Sequence, residues 1–217
     1  MSAPIFRMFS LDAKAYDAAN PLPIQIMAPQ DASRVRRFTA SDDTIDRYQE
    51  VILPEGIDVS EYVRNPVVMA FHDYQRWPLG HAVAVGVVDG RLMIDVEFDP
   101  PEIDEEAEQV LRKIDRKTIN AGSIGFTTVE RVEVASASPE LRARYRSAHR
   151  IHTRTKLLEY TICPIPANPN ALAAALQADI LARFNGQDGE SRQAPACDSA
   201  KLRAVTEGLE RLKRQLE

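Results

Sequence analysis

The chain has 217 residues, 27% of them charged and 44% hydrophobic, with a net charge of −5 and a pI near 5.5. That length fits one sizeable core plus an appendage, and the acidic balance excludes wholesale nucleic-acid binding, leaving any basic patch local. No stretch reaches a membrane span, MSAPIFRMFS lacks the basic-then-apolar pattern of a signal peptide, and Cys163 and Cys197 lie in contexts too different for a disulfide framework, which fits a reducing cytoplasm.

Residues 1–35 are rich in Pro and Ala, with short apolar runs such as PIQIM, and read as an extended arm carrying one short strand. From Val35 to about Phe98 the pattern is β. Its best signal is AVAVGVVDGRLMIDVEF. Val83, Val85 and Val87 alternate before Asp89-Gly90, and Leu92, Ile94, Val96 and Phe98 alternate after it. Asp-Gly between two alternating runs predicts a type I′ hairpin. After Pro100-Pro101 the period changes to helical. Ile103, Ala107, Val110, Leu111 and Ile114 share a face, and Glu102, Asp104, Glu105 and Glu106 crowd the first turn, where the helix dipole favours acids.

That helix, ending near Lys117, delivers the chain to INAGSIGF (119–126) and a strand, FTTVERVEV. An Arg-rich insertion, SPELRARYRSAH, leads to HRIHTRTKLLEYTICPIPANP. There Arg150, His152, Arg154 and Lys156 share one parity; Ile151, Thr153, Thr155, Leu157 and Glu159 share the other. Asn168-Pro169 predicts a helix start, with Leu172, Leu176, Ile180, Leu181 and Phe184 as its stripe. Residues 186–198 read as a flexible linker, and 199–217 as an amphipathic helix with Leu202, Val205, Leu209, Leu212 and Leu216 at 3-4 spacing.

Three residues invite a chemical reading. Ser123 sits between Gly122 and Gly125, which would leave room for an acyl group and for backbone donors to an oxyanion; a glycine turn with a filler serine is the plainer alternative. GSIGF is not the G-x-S-x-G elbow. His72 follows the apolar run Val67–Phe71, placed as a general base or as a surface-turn histidine. Glu159 lies on a packing parity, where a carboxylate needs an imidazole or an arginine as partner. His81 is a rival base. His149 and His152 sit among arginines and suit a solvated face; Cys163 before Pro164 reads as a small buried hydrophobe, and no zinc-site spacing is present.

Four segments in order resemble the prohead (procapsid maturation) proteases of tailed bacteriophages: TASDDTIDRYQEVILPEGID (39–58), YVRNPVVMAFHDY…PLGHA (62–82), the acidic helix with INAGSIGF (102–126) and LLEYTICPIPANPNA (157–171). The likeness covers about residues 36–184. It implies a β-rich α+β fold, a compact closed β-barrel surrounded by helices as in the herpesvirus assembly protease, with a C-terminal helical tail. The domains would be an arm (1–35), a serine protease domain (36–185), a linker (186–198) and a helix (199–217). Ser123 matches the nucleophile, His72 the base and Glu159 the third member; the herpesvirus relatives have a second histidine at that last place. Backbone N–H groups near Gly125 or in a loop after residue 131 would hold the oxyanion.

The DRKTINAG lead and the 139–150 insertion depart from the family pattern. The resemblance implies no metal or cofactor. It implies an endopeptidase that cuts scaffold and capsid-protein segments, including the major capsid protein's N-terminal segment, and itself. That enzyme would act as a homodimer inside assembling procapsids in the host cytoplasm. An inactive protease-like assembly factor and a different serine hydrolase on the same barrel are the alternatives.

Overall fold

The computed structural model describes residues 21–174. The first twenty residues of the arm, the helix stripe from Leu176 onward, the linker at 186–198 and the tail helix at 199–217 lie outside them. In chain order the strands are β1 (Ile24–Gln25), β2 (Val35–Asp42), β3 (Glu50–Ile52), β4 (Ile57–Asp58), β5 (Val67–Ala70), β6 (Gly80–Val88), β7 (Arg91–Phe98), β8 (Gly122–Glu133) and β9 (Arg150–Ile162). Helix α1 (Glu105–Asp115) lies between β7 and β8, and the short α2 (Pro139–Arg144) between β8 and β9.

The DG hairpin forms as its sequence requires. β6 and β7 pair antiparallel, Val88 opposite Arg91, and Asp89 and Gly90 both take positive φ, 50° and 71°, as a type I′ turn demands. α1 is capped by Asp104, whose carboxylate accepts the Glu106 N–H, and it buries Ala107, Val110, Leu111 and Ile114. Ile103 falls before the cap and is 73% exposed, so the predicted stripe loses its first member. Arg34 with Glu108, and Arg36 with both oxygens of Asp115, fasten the start of β2 to this helix.

β9 is the strand on which the rest depends. Along one side it pairs in parallel with β3, β4 and β5 in turn; along the other it pairs antiparallel with the whole of β8. β5 then joins β6, β7 and β2, so the mixed sheet curls into a half-barrel. Phe38, Val68, Ile94, Phe98, Leu157 and Tyr160 fill its core, against the apolar face of α1. A β-rich fold is therefore present. The two flanks, β2 and β8, do not pair with each other; residues 171–173 run between them, bridging Phe38 to Ala173 and Ala121 to Leu172.

The Arg-rich insertion builds a second, smaller cluster. Tyr145 and Ala148 pack with Val51, Val134, Ala137 and Ile151, and Ser138 caps α2. The expected helix start at Asn168-Pro169 is replaced by a turn. Asn168 Oδ1 accepts the Asn170 N–H, its amide goes to Asp42, and the chain is still extended at Leu172 and Ala173. The side chain that would have capped a helix is instead committed to a loop 126 residues away in sequence.

Candidate active site

Two neighbouring strands present one polar face. On β9, Glu159 and Thr161 are two residues apart and so point the same way. On β8, Gly125 stands opposite Glu159, and Ser123 opposite Thr161. On the other side of β9, β5 runs parallel until Ala70 and then ends in a tight turn. Phe71 and His72 both adopt left-handed backbone, φ 57° and 56°, a conformation that costs a non-glycine residue roughly 1 kcal/mol or more. β9 holds that turn: Phe71 N–H donates to Ile162 O at 3.1 Å, and His72 N–H to Thr161 Oγ1 at 3.0 Å.

The turn brings the imidazole onto the carboxylate. His72 Nδ1 lies 2.5 Å from Glu159 Oε1, a short charge-assisted contact. Glu159 is buried, while the His72 side chain is 40% exposed. A carboxylate accepting from Nδ1–H fixes the tautomer and leaves Nε2 with a free lone pair. Glu159 Oε2 is buried with no partner among the described residues. Burial first, and the Glu159 charge second, push the phenols of Tyr62 and Tyr74 above their ordinary range. The Cys163 thiol is raised by burial, with Glu159 adding to it, so it stays protonated and unreactive at neutral pH.

The two glycines serve β9 rather than an acyl group. A Cβ at Gly125 would overlap Glu159 Oε1, and a Cβ at Gly122 would overlap the Tyr160 hydroxyl. Gly125 therefore makes space for the acid. Its N–H faces β9 in the strand pairing, and the expected loop after residue 131 is strand, with Arg131 opposite His152.

Ser123 and His72 line the same cleft, of about 520 Å³, together with Ile124, Phe126, Asp42 and Ile165. Among the described residues no hydrogen bond joins the two. One wall is a locked loop pair. Asn168 and Asn170 amides donate to the two Asp42 carboxylate oxygens, and Arg47 donates to Pro166 O. Burial alone would raise the Asp42 carboxyl, but the bonds from Asn168, Asn170 and Thr44 outweigh it and hold it below the usual carboxylate range.

The other histidines fall elsewhere. His81 lines a separate cavity with Trp77 and Asp99, its Nε2 3.5 Å from Glu97. His149 is exposed. His152, expected on a solvated face, is buried: Nε2 meets Glu50 Oε2 and Nδ1 meets Thr128 Oγ1, both at 2.9 Å, with the Phe126 ring edge-on. Glu50, supplied by β3, makes that burial tolerable, and no local pattern announces it. Thr161 belongs to no motif of its own; its signal is its place two residues after Glu159 on the same face.

Residues 32–182 match the sequence profile of a family described as caudovirus prohead serine protease. No curated protein and no solved structure gives a significant match.

Proposed function

Because the chain belongs to the caudovirus prohead serine protease family, we propose that it is a serine endopeptidase of capsid maturation whose catalytic residues are Ser123, His72 and Glu159. The observation that carries the assignment is the 2.5 Å contact between His72 and a buried carboxylate, at the cleft that Ser123 also lines. His72 Nε2 takes the Ser123 Oγ proton as Oγ bonds to the scissile carbonyl carbon. The imidazolium, steadied by Glu159, then gives that proton to the leaving amine. Water, deprotonated by the same nitrogen, releases the acyl group. Glu159 favours this reading over an inactive assembly factor, since a buried carboxylate with one oxygen unpartnered is a poor structural element.

The substrates in this reading are scaffold and capsid-protein segments, and the enzyme itself, inside procapsids assembling in the host cytoplasm. The working form is a homodimer. The 171–173 bridges support a barrel closed between β2 and β8. Among the described residues no helix is long and apolar enough to cross a membrane. The test is co-expression with the major capsid protein of the same phage, read by intact mass. Ser123→Ala should leave both chains unprocessed and unlabelled by a fluorophosphonate; normal processing by that variant removes Ser123 from the mechanism. Peptide against ester turnover separates a peptidase from another serine hydrolase.

A further inference from the structure

Building on Ser123 as the nucleophile, we propose that the backbone N–H groups of Ala167 and Asn168 hold the oxyanion of the reaction, and that Arg47, from behind their loop, is the residue that positions them.

The loop that follows β9, CPIPANPN (163–170), has few amides to give. Pro164, Pro166 and Pro169 carry no N–H. Cys163 N–H donates to Ala121 O at 3.1 Å, Ile165 N–H serves the Cys163 sulfur, and Asn170 N–H donates to Asn168 Oδ1 at 2.8 Å. Ala167 and Asn168 are the two that remain, and neither N–H makes a hydrogen bond among the described residues. Asn168 is only 8% exposed, and a donor left open in so buried a residue calls for a partner from outside. Both residues line the cleft with Ser123 and His72.

Arg47 fixes where these two donors point. Its Nη1 donates to Pro166 O at 2.5 Å and its backbone N–H to Ala167 O at 3.1 Å. Every described peptide bond is trans, so each carbonyl points opposite to the N–H of its own peptide unit. Pro166 O shares a unit with the Ala167 N–H, and Ala167 O with the Asn168 N–H. Both carbonyls turn to Arg47, and both N–H groups therefore turn away from it. Asp46 and Tyr48, the neighbours of Arg47, line the cleft and Arg47 does not, so the side away from Arg47 is the cleft side. The Asn168 amide, bonded to Asp42, steadies the same loop. Two preset donors on one side of a cleft meet a tetrahedral oxyanion without reorganising. The places expected from the sequence, Gly125 and the stretch after residue 131, lie in the β8–β9 ladder instead.

The test uses the full-length protein and phenylboronic acid. Ser123 Oγ bonds to the trigonal boron, its proton passes to His72, and the tetrahedral boronate keeps the negative charge that an oxyanion would carry. In proton–nitrogen spectra the Ala167 and Asn168 amides should move downfield as the tetrahedral boron signal grows, and should stay put with Ser123→Ala. In Arg47→Met the backbone bond to Ala167 O survives, so the Asn168 shift should persist while the Ala167 shift shrinks. Fluorophosphonate labelling of that variant should slow by about tenfold or more, toward the roughly hundredfold loss that follows removal of one oxyanion donor, at an unchanged thermal midpoint. Arg47→Lys should recover part of the rate. An adduct that leaves both amides unmoved, or equal shifts when acetate is added to Ser123→Ala, would overturn the proposal while fluorophosphonate labelling keeps Ser123 as nucleophile. Full-rate labelling of Arg47→Met would overturn the positioning role. If neither boronate nor fluorophosphonate reacts at Ser123, the catalytic reading falls, and this proposal with it.

Discussion

Thr161 stands opposite Ser123 on β8 and opposite Met69 on β5, fully buried, and its hydroxyl takes the backbone N–H of His72. It thereby connects the strand of Ser123, the proposed nucleophile, to the turn of His72, the proposed base. Thr161→Val keeps the shape and removes the acceptor. Labelling by a fluorophosphonate should slow by about tenfold, the worth of one buried hydrogen bond, with the same thermal midpoint within a few degrees. Thr161→Ser should restore the rate; if it labels as slowly as the valine variant, the hydroxyl is not what positions His72. Gly125→Ala is the sharper change. Its new methyl must displace the Glu159 carboxylate from His72, so turnover should fall at least a hundredfold while KM for a peptide stays within a factor of about three. Wild-type turnover in that variant would mean that Glu159 has no part in the chemistry. Neither role is legible from GSIGF or EYTI alone, because both depend on which residue of a distant strand lies across the ladder.

Among the elements, those set by neighbouring residues were readable and those set by distant ones were not. The 89–90 turn and α1 follow from Asp-Gly and from a 3.6-residue apolar period, which act within a few residues. Leu111→Ala in α1 should cost about 2–5 kcal/mol in denaturant unfolding and leave kcat unchanged, since the helix packs on the core and lies away from the cleft. The 163–171 loop departs from the expected helix start at Asn168 because an asparagine before proline has the same local chemistry whether it caps a helix or reaches back to Asp42. The pH dependence of that clasp has a defined sign. The Asp42 pKa is lower folded than unfolded, so its contribution is complete above about 3.8 and lost as pH falls through the lower folded value. Asp42→Asn should therefore destabilise the protein at pH 7, and the gap to wild type should shrink only in strong acid. A gap that vanishes near pH 6 would show that another group governs the loop.

At the scale of the molecule, the parallel pairing of β9 with β3, β4 and β5 was invisible to any local pattern. The closeness of His72 to Glu159 was expected only through resemblance, helped by the packing parity of Glu159. The tail belongs to this scale as well. The apolar spacing of residues 199–217 predicts a helix too short to stand alone, and we propose that this segment docks the enzyme onto a helical scaffold and is later cut free at the expected linker. Deleting residues 190–217 should preserve peptide hydrolysis and reduce packaging into procapsids; equal packaging would remove the docking role. The central place of β9 also sets a clock. His72 and Glu159, the proposed base and acid, are 87 residues apart, and the strand that carries Glu159 and braces the His72 turn is the last described strand of the sheet to be translated. A ribosome-bound chain that has not yet extruded Ile162 holds Ser123 and His72 with nothing to align them. On the proposed triad, the nascent chain should therefore stay inactive toward itself and its neighbours on the polysome, and proteolysis should begin only after β9 has emerged.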